Sequence, residues 1–273
     1  MTGSKVFTPE PEKPPEVTGK MSSRESTRGL DKEVKSPMTD QFVHEPHPTI
    51  EEIQPFFAVD TQETGRTYKI RDRKYESITT VLGRSKKDAI DQWRKRVGEE
   101  VADRISGQAT TNGSRVHDLA EQLLRNQPVS SSEIRNESPI IITSYRALEK
   151  VLRSKVTTVH ALESALYSDY LGVAGRVDCV GVFDDRLSVI DFKTSRSEKK
   201  REHIHTYFMQ EAAYAIMWEE LTGTPIHQLV TIMAVNGNLS AEVFVEKRKN
   251  WEQPLLRTLR ENMKPSLDFF LQD

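Results

Sequence analysis

The chain has 273 residues, 36% of them hydrophobic, which suits one domain with a real core plus some unstructured sequence. A formal charge of −2 exerts no global pull on nucleic acid, so a passive DNA-coating protein is disfavoured while an enzyme with local basic patches is not. The single cysteine, Cys179, excludes an internal disulfide or a cluster held by several thiolates, and fits a reducing compartment.

Residues 1–48 are rich in Pro, Ser, Thr, Lys and Glu and lack apolar periodicity. Such a segment buries too little surface to offset backbone ordering, so a disordered N-terminal tail is expected, followed by one folded domain over 49–273. Its acids and prolines make a poor secretory or transit signal, and no stretch approaches the roughly 18 consecutive apolar residues of a membrane span. The expectation is a soluble intracellular protein.

Strands are expected over 67–70 and 75–81, joined by a turn at Arg71-Asp72-Arg73-Lys74. Ala89, Trp93, Val97 and Val101 recur at helical spacing and predict a helix over 86–106, whose Lys86, Lys87, Arg94, Lys95 and Arg96 read as a solvated face or a DNA contact. Thr110-Thr111-Asn112 offers cap chemistry for a second helix carrying Val116, Leu119, Ala120, Leu123 and Leu124. A polar loop over 128–138 and a helix over 140–153 come next. The pattern then turns to β-branched and aromatic strands over 157–167, 174–183 and 187–194. A long helix over 207–222, strands over 228–235 and 241–245, and a terminal helix over 251–269 complete an α/β arrangement with a mixed sheet.

The strands over 174–183 and 187–194 flank Asp184-Asp185, and Asp tolerates the positive φ of a two-residue turn. That turn pairs Phe183 with Arg186, and counting back sets Asp178 opposite Asp191, with Cβ atoms about 4.5–5.5 Å apart. Lys193, two residues on, shares the face of Asp191, while Phe192 points to the other side. A slip of one residue would destroy the arrangement. Two carboxylates so placed repel, and a divalent cation relieves the repulsion; Mg²⁺ or Mn²⁺ prefers such oxygen ligands. Lys193 beside it could orient or deprotonate a water attacking a phosphate. A plain Asp–Lys surface pair on a hairpin is the alternative at this point.

Gly175-Arg176-Val177-Asp178 with Val189-Ile190-Asp191-Phe192-Lys193-Thr194 resembles the core of the PD-(D/E)XK nuclease superfamily, in its RecB-like branch. Gly113-Ser114-Arg115-Val116-His117 resembles the upstream Gly-x-x-x-His helix motif of that branch, and Gln210-Glu211-Ala212-Ala213-Tyr214 its downstream Gln-x-x-x-Tyr motif. The segment Val159-His160-Ala161-Leu162-Glu163-Ser164-Ala165, leading into Gly175 and Cys179, is closer still to the family of mitochondrial genome maintenance exonucleases and their phage and bacterial relatives.

The resemblance implies a restriction-endonuclease-like core, a mixed central sheet flanked by helices. It implies a metal held by His117, Asp178, Asp191 and the backbone carbonyl of Phe192, with Lys193 catalytic beside the two aspartates. Glu121, one turn from His117, and Glu163 would lie just behind the ligands. Gln210 and Tyr214 would contact DNA or support the catalytic lysine, with Tyr214 as plain core the alternative. Thr194, Ser195 and Arg196 would hold phosphates.

The activity implied is a Mg²⁺- or Mn²⁺-dependent DNA exonuclease acting at single-stranded ends in replication, recombination or repair. The rivals are an endonuclease on the same fold and a nucleic-acid-binding module whose nuclease site has decayed. No Gly-x-x-x-x-Gly-Lys-Ser/Thr motor motif occurs, so unwinding falls to a partner such as a helicase, with a polymerase or single-strand-binding protein as other candidates. A single cysteine excludes the iron–sulfur subgroup. The N-terminus lacks the look of a targeting segment, so a bacterial or phage-infected cytoplasm is expected over a mitochondrial setting.

Overall fold

The hairpin singled out by the sequence lies in the middle of a mixed sheet that joins nine strands among the described residues. The computed structural model describes residues 40–62, 65–127 and 129–263. In chain order the elements are β1 (Val43–His44), α1 (Pro48–Ile53), β2 (Phe57–Gln62), β3 (Gly65–Ile70), β4 (Arg73–Ser77), α2 (Ile78–Gly83), α3 (Lys87–Val97) and α4 (Glu99–Leu124). They continue with α5 (Ser131–Arg135), α6 (Pro139–Lys155), β5 (Val156–Ser168), β6 (Val173–Phe183), β7 (Arg186–Ser195), α7 (His205–Thr222), β8 (Gln228–Val235), β9 (Glu242–Lys247) and α8 (Glu252–Asn262).

β5, β6 and β7 pair antiparallel in succession, β4 and β8 join β6 and β7 in parallel, and β9 closes the row antiparallel to β8. Helices cover both faces. Val180 and Val189 join Phe208, Met217 and Trp218 of α7 in one apolar cluster, whereas Ile190, Phe192 and Cys179 join Leu119 of α4 and Leu148 of α6 in the other. Successive residues of β7 therefore point alternately into two cores, as the pleat requires. α7 is apolar on nearly every side, which is the pattern of a helix buried between sheet and neighbouring helices. It ends at Gly223 in the left-handed conformation, φ 73°, where a side chain would be strained. Among the described residues no helix is long and apolar enough to cross a membrane.

Several boundaries differ from expectation. The ordered chain starts before residue 48: Phe42 is only 3% exposed, Asn126 pairs with its backbone on both sides, and Val43–His44 join β5. The rest of the expected tail, 1–39, lies outside the described residues, as do 264–269 of the expected terminal helix. Residues 78–81 are helical, with β4 stopping at Ser77. The helix break falls at Gly98, φ 87°, and Thr110-Thr111-Asn112 lies inside the continuous α4. The glycine's left-handed backbone ends α3, while the cap residues, having helix on both sides, do no capping. The polar loop contains the short α5, capped by Ser130, whose Oγ accepts the Glu133 N–H.

Candidate active site

Two Asp residues at the tip of the hairpin set the register of everything below it. Asp184 and Asp185 have φ of 47° and 62°, the paired positive values of a tight hairpin turn, and Phe183 pairs with Arg186 as expected. The ladder runs regularly down to Cys179 and Ile190 and stops there. Beyond it β7 follows β8 as far as Ser195, while the same edge of β6 is taken up at Val173 and Ala174 by β4. Between β4 and β7, no strand among the described residues pairs with residues 175–178 of β6 on this edge, which leaves a gap.

Asp178 fills the head of that gap. Its Oδ2 accepts the backbone N–H of Phe192 at 2.8 Å, where the ladder would otherwise continue. The sequence expected Asp178 and Asp191 paired on one face; instead the strands part and Asp178 bonds to the backbone beside Asp191. Like-charge repulsion disfavours direct apposition, and the amide supplies a donor in its place.

The other groups converge from three sides. Across β5, Leu162 and Ser164 pair with Cys179 and Val177, so Glu163 between them faces Asp178, with a strained φ of 45°. From α4, His117 puts Nδ1 3.6 Å from Asp178 Oδ2 and its ring edge-on to Phe192. Gly113 lets that helix close on the sheet, since a Cβ there would already lie 3.3 Å from Thr194 Oγ1. His117, Glu163 and Asp178 each offer a ligand atom, and these atoms all lie within 4.8 Å of one another.

Asp191 faces α7. Its Oδ2 is ion-paired with Lys193, and its Oδ1 accepts from Gln210 Nε2 at 3.0 Å. Burial pushes the Asp191 carboxyl upward; Lys193 pulls it back, and the charge of Asp178 raises it again. Burial alone would lower Lys193, but Asp191 and Asp178 outweigh it and hold the lysine charged. Burial, then the charge of Asp178, pushes Glu163 up to about 7.

Glu121 accepts from Arg125 Nε at 2.8 Å, and its charge is felt at Glu163. Tyr214 is 1% exposed, so it presents no surface to a strand and the expected DNA contact does not fit. It packs where a Cβ on Gly175 would meet its ring at 2.7 Å, which is why β6 carries glycine there. Thr194 and Ser195 continue β7 half-buried and Arg196 is exposed beyond it, while the following Arg201 is tied to Glu246.

Sequence reading passed over Glu211. It is fully buried, accepts from Thr231 Oγ1, and Thr231 pairs with Asp191 in the β7–β8 ladder. An acid among Met209, Ala212 and Ala213 on a buried helix was the available signal. Lys86, Thr206 and Tyr207, near Lys193, were also not assigned to the site.

The model of the PD-(D/E)XK nuclease superfamily matches residues 88–265. Mitochondrial genome maintenance exonuclease 1 of Homo sapiens is 30% identical over 132 residues, 46% of this chain and 37% of that protein. The protein of the same name from Xenopus tropicalis is also 30% identical over 132 residues, 46% of this chain and 36% of its own. The matches thus span little more than a third of the relatives' length. A solved structure titled "Crystal structure of SSO0001" covers 71% of this chain and 79% of its own at 13% identity, with a TM-score of 0.33.

Proposed function

This chain belongs to the PD-(D/E)XK nuclease superfamily, and from that premise we propose that it is a divalent-metal-dependent DNA exonuclease that cuts phosphodiester bonds at single-stranded ends. The observation that carries the reading is the convergence of His117, Glu163 and Asp178 beside the Asp191–Lys193 pair, in a gap of the sheet.

The carboxylate oxygens of this donor set suit Mg²⁺ or Mn²⁺, with the His117 imidazole as a single nitrogen donor beside them, and the like charges of Glu163, Asp178 and Asp191 gain from a cation between them. Asp178, His117 and Glu163 would hold it, with Asp191 and the Phe192 carbonyl adjoining. When bound, such an ion neutralises phosphate charge and makes water a better nucleophile. Lys193 enters as a cation because it is paired with Asp191, so it orients water and offsets charge developing on the phosphate oxygens. Gln210 fixes the rotamer of Asp191 through its 3.0 Å bond, and Tyr214 and Gly175 lock the helix carrying Gln210 against β6.

The names of the relatives support the exonuclease and DNA parts of this reading, in which the substrate is a strand already separated by a partner helicase or held by a single-strand-binding protein. A covalently closed single-stranded circle tests it against an endonuclease. Linear end-labelled strands should be degraded with Mg²⁺ while circles persist, and equal loss of both would overturn the exonuclease assignment.

A further inference from the structure

Beside the Asp191–Lys193 pair, and lined in part by Gln210, lies a cleft of about 120 Å³ to which Lys86, Thr206 and Tyr207 contribute. That is ample for several waters or a phosphate group. The Lys86 ammonium donates to Thr206 Oγ1 at 2.7 Å and stands 5.3 Å from the Tyr207 ring centroid. The Lys193 ammonium stands 5.2 Å from the same centroid. One ring therefore spaces two cations, one belonging to the chemistry already described and one with no part in it.

Among the described residues no carboxylate pairs with Lys86. Its strongest electrostatic neighbours are other cations: burial, then Lys193, then Lys199, hold it below the ordinary lysine value. Like charges gathered at a half-buried cleft are unfavourable unless an anion is shared among them. An aromatic ring next to a nuclease centre would usually invite base stacking. Here ammonium groups lie over the ring, and the donors around it (Lys86 and the Thr206 hydroxyl) match phosphate rather than a base.

We propose that Lys86, Thr206 and Tyr207 form a second phosphate subsite, holding the internal phosphodiester that neighbours the bond being cut. This inference rests on the nuclease reading above. Lys86 is then a substrate-positioning residue: two successive phosphates of one strand each meet a cation, and the spacing set by Tyr207 delivers the scissile one to Lys193.

The test uses the full chain and short end-labelled single strands. In wild type, Lys86→Ala, Lys86→Gln and Lys86→Arg, it measures kcat and KM with Mg²⁺, and strand binding against salt in chelator. Lys86→Ala and Lys86→Gln should lower kcat/KM about tenfold, through KM, and reduce the salt slope of binding by about one charge; Lys86→Arg should restore most of both. Replacing the neighbouring phosphate by a neutral methylphosphonate should impair wild type and leave Lys86→Ala unaffected.

Unchanged KM and salt slope in Lys86→Ala would overturn the proposal, as would additive effects of the variant and the neutral linkage. A deficit confined to strands with a terminal phosphate would overturn the internal assignment. Asp191→Ala, run alongside, separates the two readings: if it cleaves like wild type the catalytic assignment fails, while the chelator binding data still judge Lys86.

Discussion

Asp178 Oδ2 accepts the Phe192 amide at 2.8 Å, so a carboxylate stands in for the strand that the β6–β7 ladder lacks at that level. The bond makes Asp178 structural as well as chemical. Asp178→Ala leaves a buried N–H without a partner and should cost about 1–3 kcal/mol in urea unfolding without added metal. Asp178→Asn keeps an acceptor and should recover at least half of that loss, yet both variants should lose cleavage. Unfolding curves for Asp178→Ala that match wild type would show that the amide finds its partner elsewhere.

Glu211 predicts a pH dependence. Burial, then the charge of Asp191, holds its carboxyl well above the ordinary value of 4.5. The folded protein keeps a proton there that the unfolded chain releases, so this contribution to stability is whole below pH 4.5 and is lost as pH rises through the elevated value. Glu211→Gln keeps the oxygen that accepts from Thr231 and removes the ionisation. In chelator, its unfolding free energy should fall less between pH 5 and 8 than that of wild type. Parallel profiles would mean that Glu211 does not titrate in this range.

Metal binding should appear as stabilisation. With Mn²⁺ or Mg²⁺ at about a hundred times its dissociation constant, the protein should gain about 2.7 kcal/mol, read as a rise in melting temperature. Because His117, Glu163 and Asp178 gather their ligand atoms within 4.8 Å, His117→Ala and Glu163→Gln should each shrink that rise at fixed metal, and chelation should stop cleavage. A full rise in both variants would place the ion elsewhere.

How much of this was legible beforehand depended on the range of the interaction that decides each feature. The Asp184-Asp185 turn is local, and it carried the register of Phe183 with Arg186 and the sharing of a face by Asp191 and Lys193. The β8 strand was bounded at 228–235 by its own apolar run. The parting of β6 from β7 was not legible, because β4 takes the same edge of β6 further along, a non-local competition. The positive φ of Glu163 has no marker in residue type, since Glu rarely adopts it. Thr110-Thr111-Asn112 misled because capping residues signal a helix start only where the backbone is free to turn, and here α4 passes straight through them. Lys86 stood in a charge run that resembled a solvated face; only the fold brings it to Tyr207.

The most direct measurement of the central claim compares wild type with Asp191→Ala on end-labelled single-stranded DNA in Mg²⁺, with strand binding in chelator as the control. Removing the partner of both Lys193 and Gln210 should lower cleavage by at least about a hundredfold while binding stays within about threefold. Cleavage by Asp191→Ala at the wild-type rate would contradict the assignment of this gap in the sheet as the active site.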